Sequence, residues 1–318
     1  MMFNEKMDTW RQTVEATLNS HLPPDETTRY RRLTEAMRYS LLAGGKRIRP
    51  VLALACAAAI EQGSWWQDQG SQFTGTGGAY KPGQFVPRLA AAIEMIHTYS
   101  LIHDDLPCMD DDELRRGRPT NHMVFGEGVA VLAGDALLNT AYEMLFDIAC
   151  EAGAAGARCG RTVAQLAGKN GMIGGQMIDI EIEGKPELAD EELLQELQGL
   201  KTGALICCPL LGVAMLYETP ALIVDLLREY GTLLGRAFQI QDDLLDVSAD
   251  TETMGKTVGK DARDQKATYV TVLGVDGARQ RLDELTTALY DCCERLSKAG
   301  LAVEFMSKLV DYLNARKY

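Results

Sequence analysis

Apolar residues recur at spacings of three and four along nearly the whole chain, the period of helices with one buried face. Leu282, Leu285, Leu289, Cys292/Cys293 and Leu296 form one such stripe, with Asp276 placed to cap its start. Asp190 can cap a helix running through Leu193, Leu194 and Leu197 toward Leu205. Thr219-Pro220 is an N-cap and first-turn pair for a helix reaching Leu245. A further helix through Ile93, Ile96 and Leu101 ends at Asp104 and Asp105, before Pro107 turns the chain out. The pattern predicts roughly ten helical segments and no convincing period-two strand. Three stretches break it: Gly63 to Gly83, read as a surface loop, the short connector Gly184 to Ala189, and the polar Ser248 to Lys266. The prediction is an all-α single domain over residues 1–318.

Composition narrows the function. The chain has 318 residues, 46% hydrophobic and 24% charged, enough to bury a large core. Its net charge of −13 argues against general nucleic-acid binding, which needs a basic face. The longest apolar run, Val51 to Ile60, is short of the ~20 residues of a membrane span. Met1 to Trp10 has no apolar core or amphipathic basic leader, so the expected location is the cytoplasm. The eight cysteines include the adjacent pairs Cys207-Cys208 and Cys292-Cys293 and no C-x-x-C. They read as reduced, buried small hydrophobes rather than disulfides.

Two acidic clusters carry the chemistry. His103 to Glu113 contains Asp104, Asp105, Asp110, Asp111 and Asp112, and the turn at Pro107 lets Asp110 fold back beside Asp104. Carboxylates at a helix C-terminus face its partial negative charge and need a cation. In the second cluster Asp242 and Asp246 are one turn apart on a helix, with Asp243 alongside. A solvated acidic face is the plain alternative, but Phe238, Ile240, Leu244 and Leu245 set this cluster in apolar surroundings where unpaired charge is costly. Hard oxygen donors without a Cys or His set point to Mg²⁺ and a substrate phosphate. The Asp110–Glu113 run lacks the glycine and closing glutamate of a calcium loop, and Gly75-Thr76-Gly77-Gly78 lacks the spacing of a phosphate loop. Basic groups match an anionic substrate: Lys46, Arg47 and Arg49 after a Gly-Gly turn, and Arg115, Arg116 and Arg118 directly after the first cluster. Either basic group by itself reads equally well as a solvated loop.

Leu101 to Gly117 resembles the first aspartate-rich motif of the trans-prenyl diphosphate synthases, in the bacterial and plastid form with two extra residues between aspartates. Asp242 to Asp246 resembles the second. Gly44 to Pro50, Lys201-Thr202-Gly203, Phe238-Gln239 and Gly255-Lys256 follow in the family's order, so the resemblance spans essentially the whole chain. It implies the isoprenoid synthase fold, a helical bundle around a central deep cavity, with three Mg²⁺ ions and a homodimer. It further implies that Asp104, Asp105, Asp110 and Asp242 hold the metals, with Asp243 and Asp246 acting through water or neighbouring groups. Arg115, Lys201 and Lys256 would grip the allylic diphosphate, and Lys46, Arg49, His97 and Arg116 isopentenyl diphosphate. Thr202 and Gln239 would lie near the developing allylic cation.

Chain length in this family depends on what blocks the tail's tunnel. Tyr99 lies five residues before Asp104, about 7.5 Å down the helix axis, and resembles the plug of farnesyl-producing members; Ser100 beside it is small. The expected product is therefore C15, with C20 as the alternative; the plain alternative for Tyr99 is that it simply packs in the core. A terpene cyclase would usually replace the second motif with an Asn/Ser/Glu type and need no second diphosphate site. A non-catalytic subunit of a heteromeric synthase commonly loses aspartates, and here both clusters are complete. Two departures from the family stand out: the long Gly63–Gly83 stretch, and Val270 where proline is frequent.

Overall fold

The computed structural model describes residues 2–69, 80–185, 188, 190–248 and 268–315. Among these, the helices are α1 (Phe3–His21), α2 (Arg31–Leu41), α3 (Ile48–Glu61), α4 (Ser64–Gln69), α5 (Val86–Asp104), α6 (Asn121–Phe125) and α7 (Glu127–Ala167). They continue as α8 (Met172–Ile182), α9 (Glu191–Gln198), α10 (Ala204–Leu216), α11 (Ala221–Ser248), α12 (Tyr269–Lys298) and α13 (Glu304–Asn314). Between α5 and α6 a tight antiparallel pair, β1 (Leu114–Arg115) and β2 (Arg118–Pro119), sets Leu114 opposite Pro119 and Arg115 opposite Arg118. This small hairpin is the one addition to an otherwise helical prediction among the described residues.

Helix α5 is the central pillar. Leu89 to Ile96 are buried on every side, so the helix must be surrounded, and it packs against α3, α7 and α10. Helix α10 is equally apolar all round, from Leu205 to Leu216, and is enclosed by α3, α5, α7 and α11. Two stretches, Glu127–Ile182 and Glu191–Leu216, are long and apolar enough to cross a membrane; 39% of the most apolar window of the first and 72% of that of the second is buried inside the bundle. The expectation that Val51 to Ile60 is the longest apolar stretch is thus corrected, because Pro209 and Gly212 interrupt the apolar residues of α10 in sequence but not its helix.

Several boundaries differ from the sequence prediction. Asp190 does cap α9, accepting the Leu193 N–H at 2.8 Å. The helix then ends at Gln198 instead of running to Leu205, and one π-turn, Gly199–Gly203, leads into α10. Asp276 is not an N-cap: α12 begins at Tyr269, with Thr268 accepting the Thr271 N–H at 3.1 Å, and is kinked at Gly274. Thr219 precedes α11 as expected, yet its hydroxyl donates back to the Ala214 carbonyl. The start of the expected Gly63–Gly83 loop is helix α4, and Trp66 packs edge-on against Tyr217 at 5.1 Å. Residues 70–79 and 249–267 lie outside the described residues. All eight cysteines are free; Cys108 and Cys150 are exposed, contrary to the expectation that all would be buried.

Candidate active site

The last turn of α5 presents the first aspartates. Asp104 and Asp105 are 8% and 3% exposed, at the end of a helix whose upper part is core. The turn at Leu106–Met109 folds back as expected: the Asp110 N–H donates to the Asp104 carbonyl at 2.8 Å and the Asp112 N–H to the Asp105 carbonyl at 3.2 Å. Arg115 reaches back from β1, its Nε 2.6 Å from Asp105 Oδ1 and its Nη2 3.4 Å from Asp112 Oδ2. Burial pushes the Asp104 carboxyl up to about 7; neighbouring Asp110 and Asp105 add to the rise, and Lys201 and Arg115 oppose it. A buried carboxylate held among like charges is a place where a hard cation would be stabilised.

Lys201 and Thr202 sit on the π-turn, where an extra residue per turn swings side chains out of helical register. Thr202 Oγ1 donates to Gln239 Oε1 at 3.3 Å, linking this turn to α11. Gln239 in turn donates to Asp243 Oδ1 at 2.8 Å, one helical turn on. Asp243 and Asp246 are buried, while Asp242 is half-buried and acts electrostatically on Arg49. Several of the expected basic residues also lie near one another. The turn at Gly44 and Gly45, both at positive φ, brings Arg116 to donate to the Gly44 carbonyl. A side chain at position 45 would collide with the Arg116 guanidinium, at 2.8 Å. Arg49 Nη1 lies 3.2 Å from His97 Nε2. Burial, followed by Arg49, Arg116, Arg115 and Arg47, holds the imidazole well below its usual pKa, so His97 is neutral and accepts from Arg49. Lys46 is exposed on the same turn. Lys256 lies outside the described residues.

Arg47 has a different place from its neighbours. It is 3% exposed, its guanidinium held by Glu15 at 2.7 Å, Glu94 at 2.6 Å and the Leu41 carbonyl at 2.6 Å, so it braces α1, α2 and α5 rather than facing the site. Tyr99 is 6% exposed on α5, edge-on to His103 at 5.7 Å, and its hydroxyl has no hydrogen-bond partner among the described residues. Ser100 donates to the His97 carbonyl at 2.8 Å.

Sequence reading passed over α8. Gln176 donates to Asp104 Oδ1, and Asp179 pairs with the Lys201 ammonium. Gly175 packs directly on the Lys201 backbone. The available signal was Gly174-Gly175 inside a helix, which weakens the helix unless another backbone must come close.

Among the described residues, no three His, Cys, Asp or Glu side chains are gathered to hold a metal ion unaided. The donors that the turn after α5 does bring together, Asp104, Asp105 and Asp110, are hard carboxylate oxygens, which suit Mg²⁺, an ion that typically takes one or two protein carboxylates and completes its shell with water and substrate phosphate.

Residues 30–301 match the family model for polyprenyl synthetases. The chain belongs to the polyprenyl synthetase family. A farnesyl diphosphate synthase of Bacillus subtilis is 38% identical over 289 residues, covering 90% of this chain and 89% of its own length. A chloroplastic geranylgeranyl pyrophosphate synthase of Catharanthus roseus is 41% identical over 261 residues, covering 80% of this chain and 66% of its own. Among solved structures, a geranyltransferase from Helicobacter pylori complexed with magnesium and isoprenyl diphosphate is similar with a TM-score of 0.77 and 30% identity, covering 97% of this chain and 96% of that one. An FPP/GFPP synthase from Zymomonas mobilis has a TM-score of 0.77 at 33% identity, covering 98% of both chains. The all-α isoprenoid synthase fold is thereby established, and this polyprenyl synthetase is a prenyl diphosphate synthase, a prenyltransferase of isoprenoid biosynthesis. Membership of the family implies Mg²⁺-dependent activity in general.

Proposed function

We propose that this protein is a (2E,6E)-farnesyl diphosphate synthase, condensing isopentenyl diphosphate with dimethylallyl and then geranyl diphosphate. The observation that carries the C15 product is Tyr99, a buried aromatic on α5 below Asp104. Geranylgeranyl diphosphate is the second reading, favoured by the small Ser100 and by the plastid relatives. A homodimer in the cytoplasm, with three Mg²⁺ ions, belongs to the same family-based reading.

In this reading Asp104, Asp105, Asp110 and Asp242 would hold Mg²⁺, which neutralises charge on the departing diphosphate. Arg115 and Lys201, with Lys256, grip the allylic diphosphate so that its C–O bond ionises without a protein nucleophile. Lys46, Arg49, His97 and Arg116 fix isopentenyl diphosphate with its double bond facing the cation. Thr202 and Gln239, hydrogen-bonded to each other, sit near that cation. The departing diphosphate takes the final proton.

Product identification by mass spectrometry tests the proposal, using Mg²⁺, isopentenyl diphosphate and each allylic starter in turn. A C15 end product, with farnesyl diphosphate left unextended, supports it. A C20 or longer product keeps the chemistry and rejects Tyr99 as the block. No elongation from any starter would favour the non-catalytic subunit. Asp104→Ala and Asp242→Ala should each lower turnover by about 100-fold or more with the fold retained; wild-type rates at saturating Mg²⁺ would refute the metal assignment.

A further inference from the structure

Lys201 is shared between two sets of carboxylates. Its ammonium pairs with Asp179 on α8, and the next strongest anions acting on it are Asp104 and Asp110. In return, Lys201 is the cation acting most strongly on Asp104. Asp110, Gln176, Asp179 and Lys201 line one cleft. A lysine in that position has two resting places: against Asp179, or across Asp104 and Asp110, where it would occupy the place of a metal ion.

The geometry of α8 decides between them. A Cβ on Gly175 would fall 2.2 Å from the Lys201 amide nitrogen and 2.6 Å from its Cα, so the bare glycine lets α8 lie against the π-turn. Asp179 is one helical turn beyond Gly175 on the same face, and this close approach sets it under the lysine side chain. Gln176 on the same helix donates to Asp104 Oδ1. Its own Oε1 is buried without a hydrogen-bond partner among the described residues, so the amide is oriented for Asp104 rather than for its own satisfaction.

We propose that Asp179 is a positioning residue that parks the Lys201 ammonium away from Asp104 and Asp110, so that this ammonium does not compete with the metal before the diphosphate takes the lysine over. The inference rests on the assignment of metal to Asp104 and Asp110. In its absence Lys201 would swing onto the first aspartate cluster and compete with Mg²⁺, raising the concentration needed to fill the site. Loss of a partner that orients groups around a metal commonly costs 10- to 100-fold in metal affinity.

Isothermal titration calorimetry of Mg²⁺ into the full chain without diphosphate, so that no substrate anion has drawn Lys201 away, provides the test. Asp179→Asn should raise the half-saturating Mg²⁺ concentration about tenfold, and Asp179→Glu should restore most of the loss. In a Lys201→Gln background, Asp179→Asn should have no further effect, because the competing ammonium is gone. An unchanged midpoint in Asp179→Asn would overturn the proposal, and so would the same tenfold loss without Lys201, which would mark Asp179 as a plain structural or metal-binding carboxylate. Asp104→Ala separates the two layers: binding heat that survives it refutes the metal assignment, and the proposal with it.

Discussion

Asp243 accepts the backbone N–H of Tyr269 at 2.9 Å through one carboxylate oxygen and the Gln239 amide at 2.8 Å through the other. A residue of the second aspartate-rich motif therefore fastens α11 to the first turn of α12, where free N–H groups and the helix dipole favour an anion. The same carboxylate fixes Gln239, whose Oε1 receives the Thr202 hydroxyl. Asp243→Ala leaves these donors buried and unmatched and should destabilise the fold by about 1–3 kcal/mol in urea unfolding. Asp243→Asn keeps an oxygen for Tyr269 and should lose clearly less.

Stability of the metal-free protein should fall as pH rises across the Asp104 titration. Burial lifts this carboxyl from 3.8 to about 7, so between those values the folded state holds a proton that the unfolded chain has released. Its contribution is thus present at low pH and lost toward pH 7, by up to about 1.4 kcal/mol per pH unit. Asp104→Asn removes this slope. Melting temperatures with a chelator present, from pH 4 to pH 8, should therefore diverge, with the variant the more stable at the upper end.

Gly175→Ala should be damaging and Gly199→Ala harmless. The first puts a methyl group into the Lys201 backbone, and relief requires moving α8 or the π-turn. Overpacking of this kind costs about 1–3 kcal/mol, and displacement of Lys201 should also lower turnover. Gly199 lies on the same turn with open space around its Cβ position and helical φ and ψ of −61° and −40°. Alanine there should be neutral or up to about 1 kcal/mol stabilising. Unfolding curves and steady-state rates of the two variants make the comparison.

Tyr99 gives a separable pair of outcomes. Its hydroxyl makes no hydrogen bond among the described residues, so Tyr99→Phe should fold at least as well and keep the product length. Tyr99→Ala opens space along α5 and should shift products to C20 or longer, while costing about 3–5 kcal/mol of stability as large-to-small core changes do. Chain-length analysis by mass spectrometry, with melting curves of both variants, distinguishes a plug from a packing residue. Unaltered products in a folded Tyr99→Ala protein would reject Tyr99 as the block and leave it a packing residue.

The sequence by itself determined the helical class and the family, and it carries the acidic and basic side chains from which the proposed site is built. Those features are local: a stripe at spacings of three and four, a proline after two aspartates, an Asp190 cap, arginines directly after the acidic run. Tertiary structure decided what each charge meets. Arg47 is indistinguishable in sequence from Lys46 and Arg49, yet it is buried against Glu15 and Glu94, partners 32 and 47 residues away. Asp243 looks like a twin of Asp242 until Tyr269 comes within hydrogen-bond reach. Gln176 and Asp179 belong to neither aspartate-rich motif, and only the glycine contact between α8 and the π-turn brings them to Asp104 and Lys201. Periodicity specifies which face of a helix is buried. The partner that an individual polar group finds depends on how those faces pack, and the cost of leaving a buried charge unmatched makes that packing decisive.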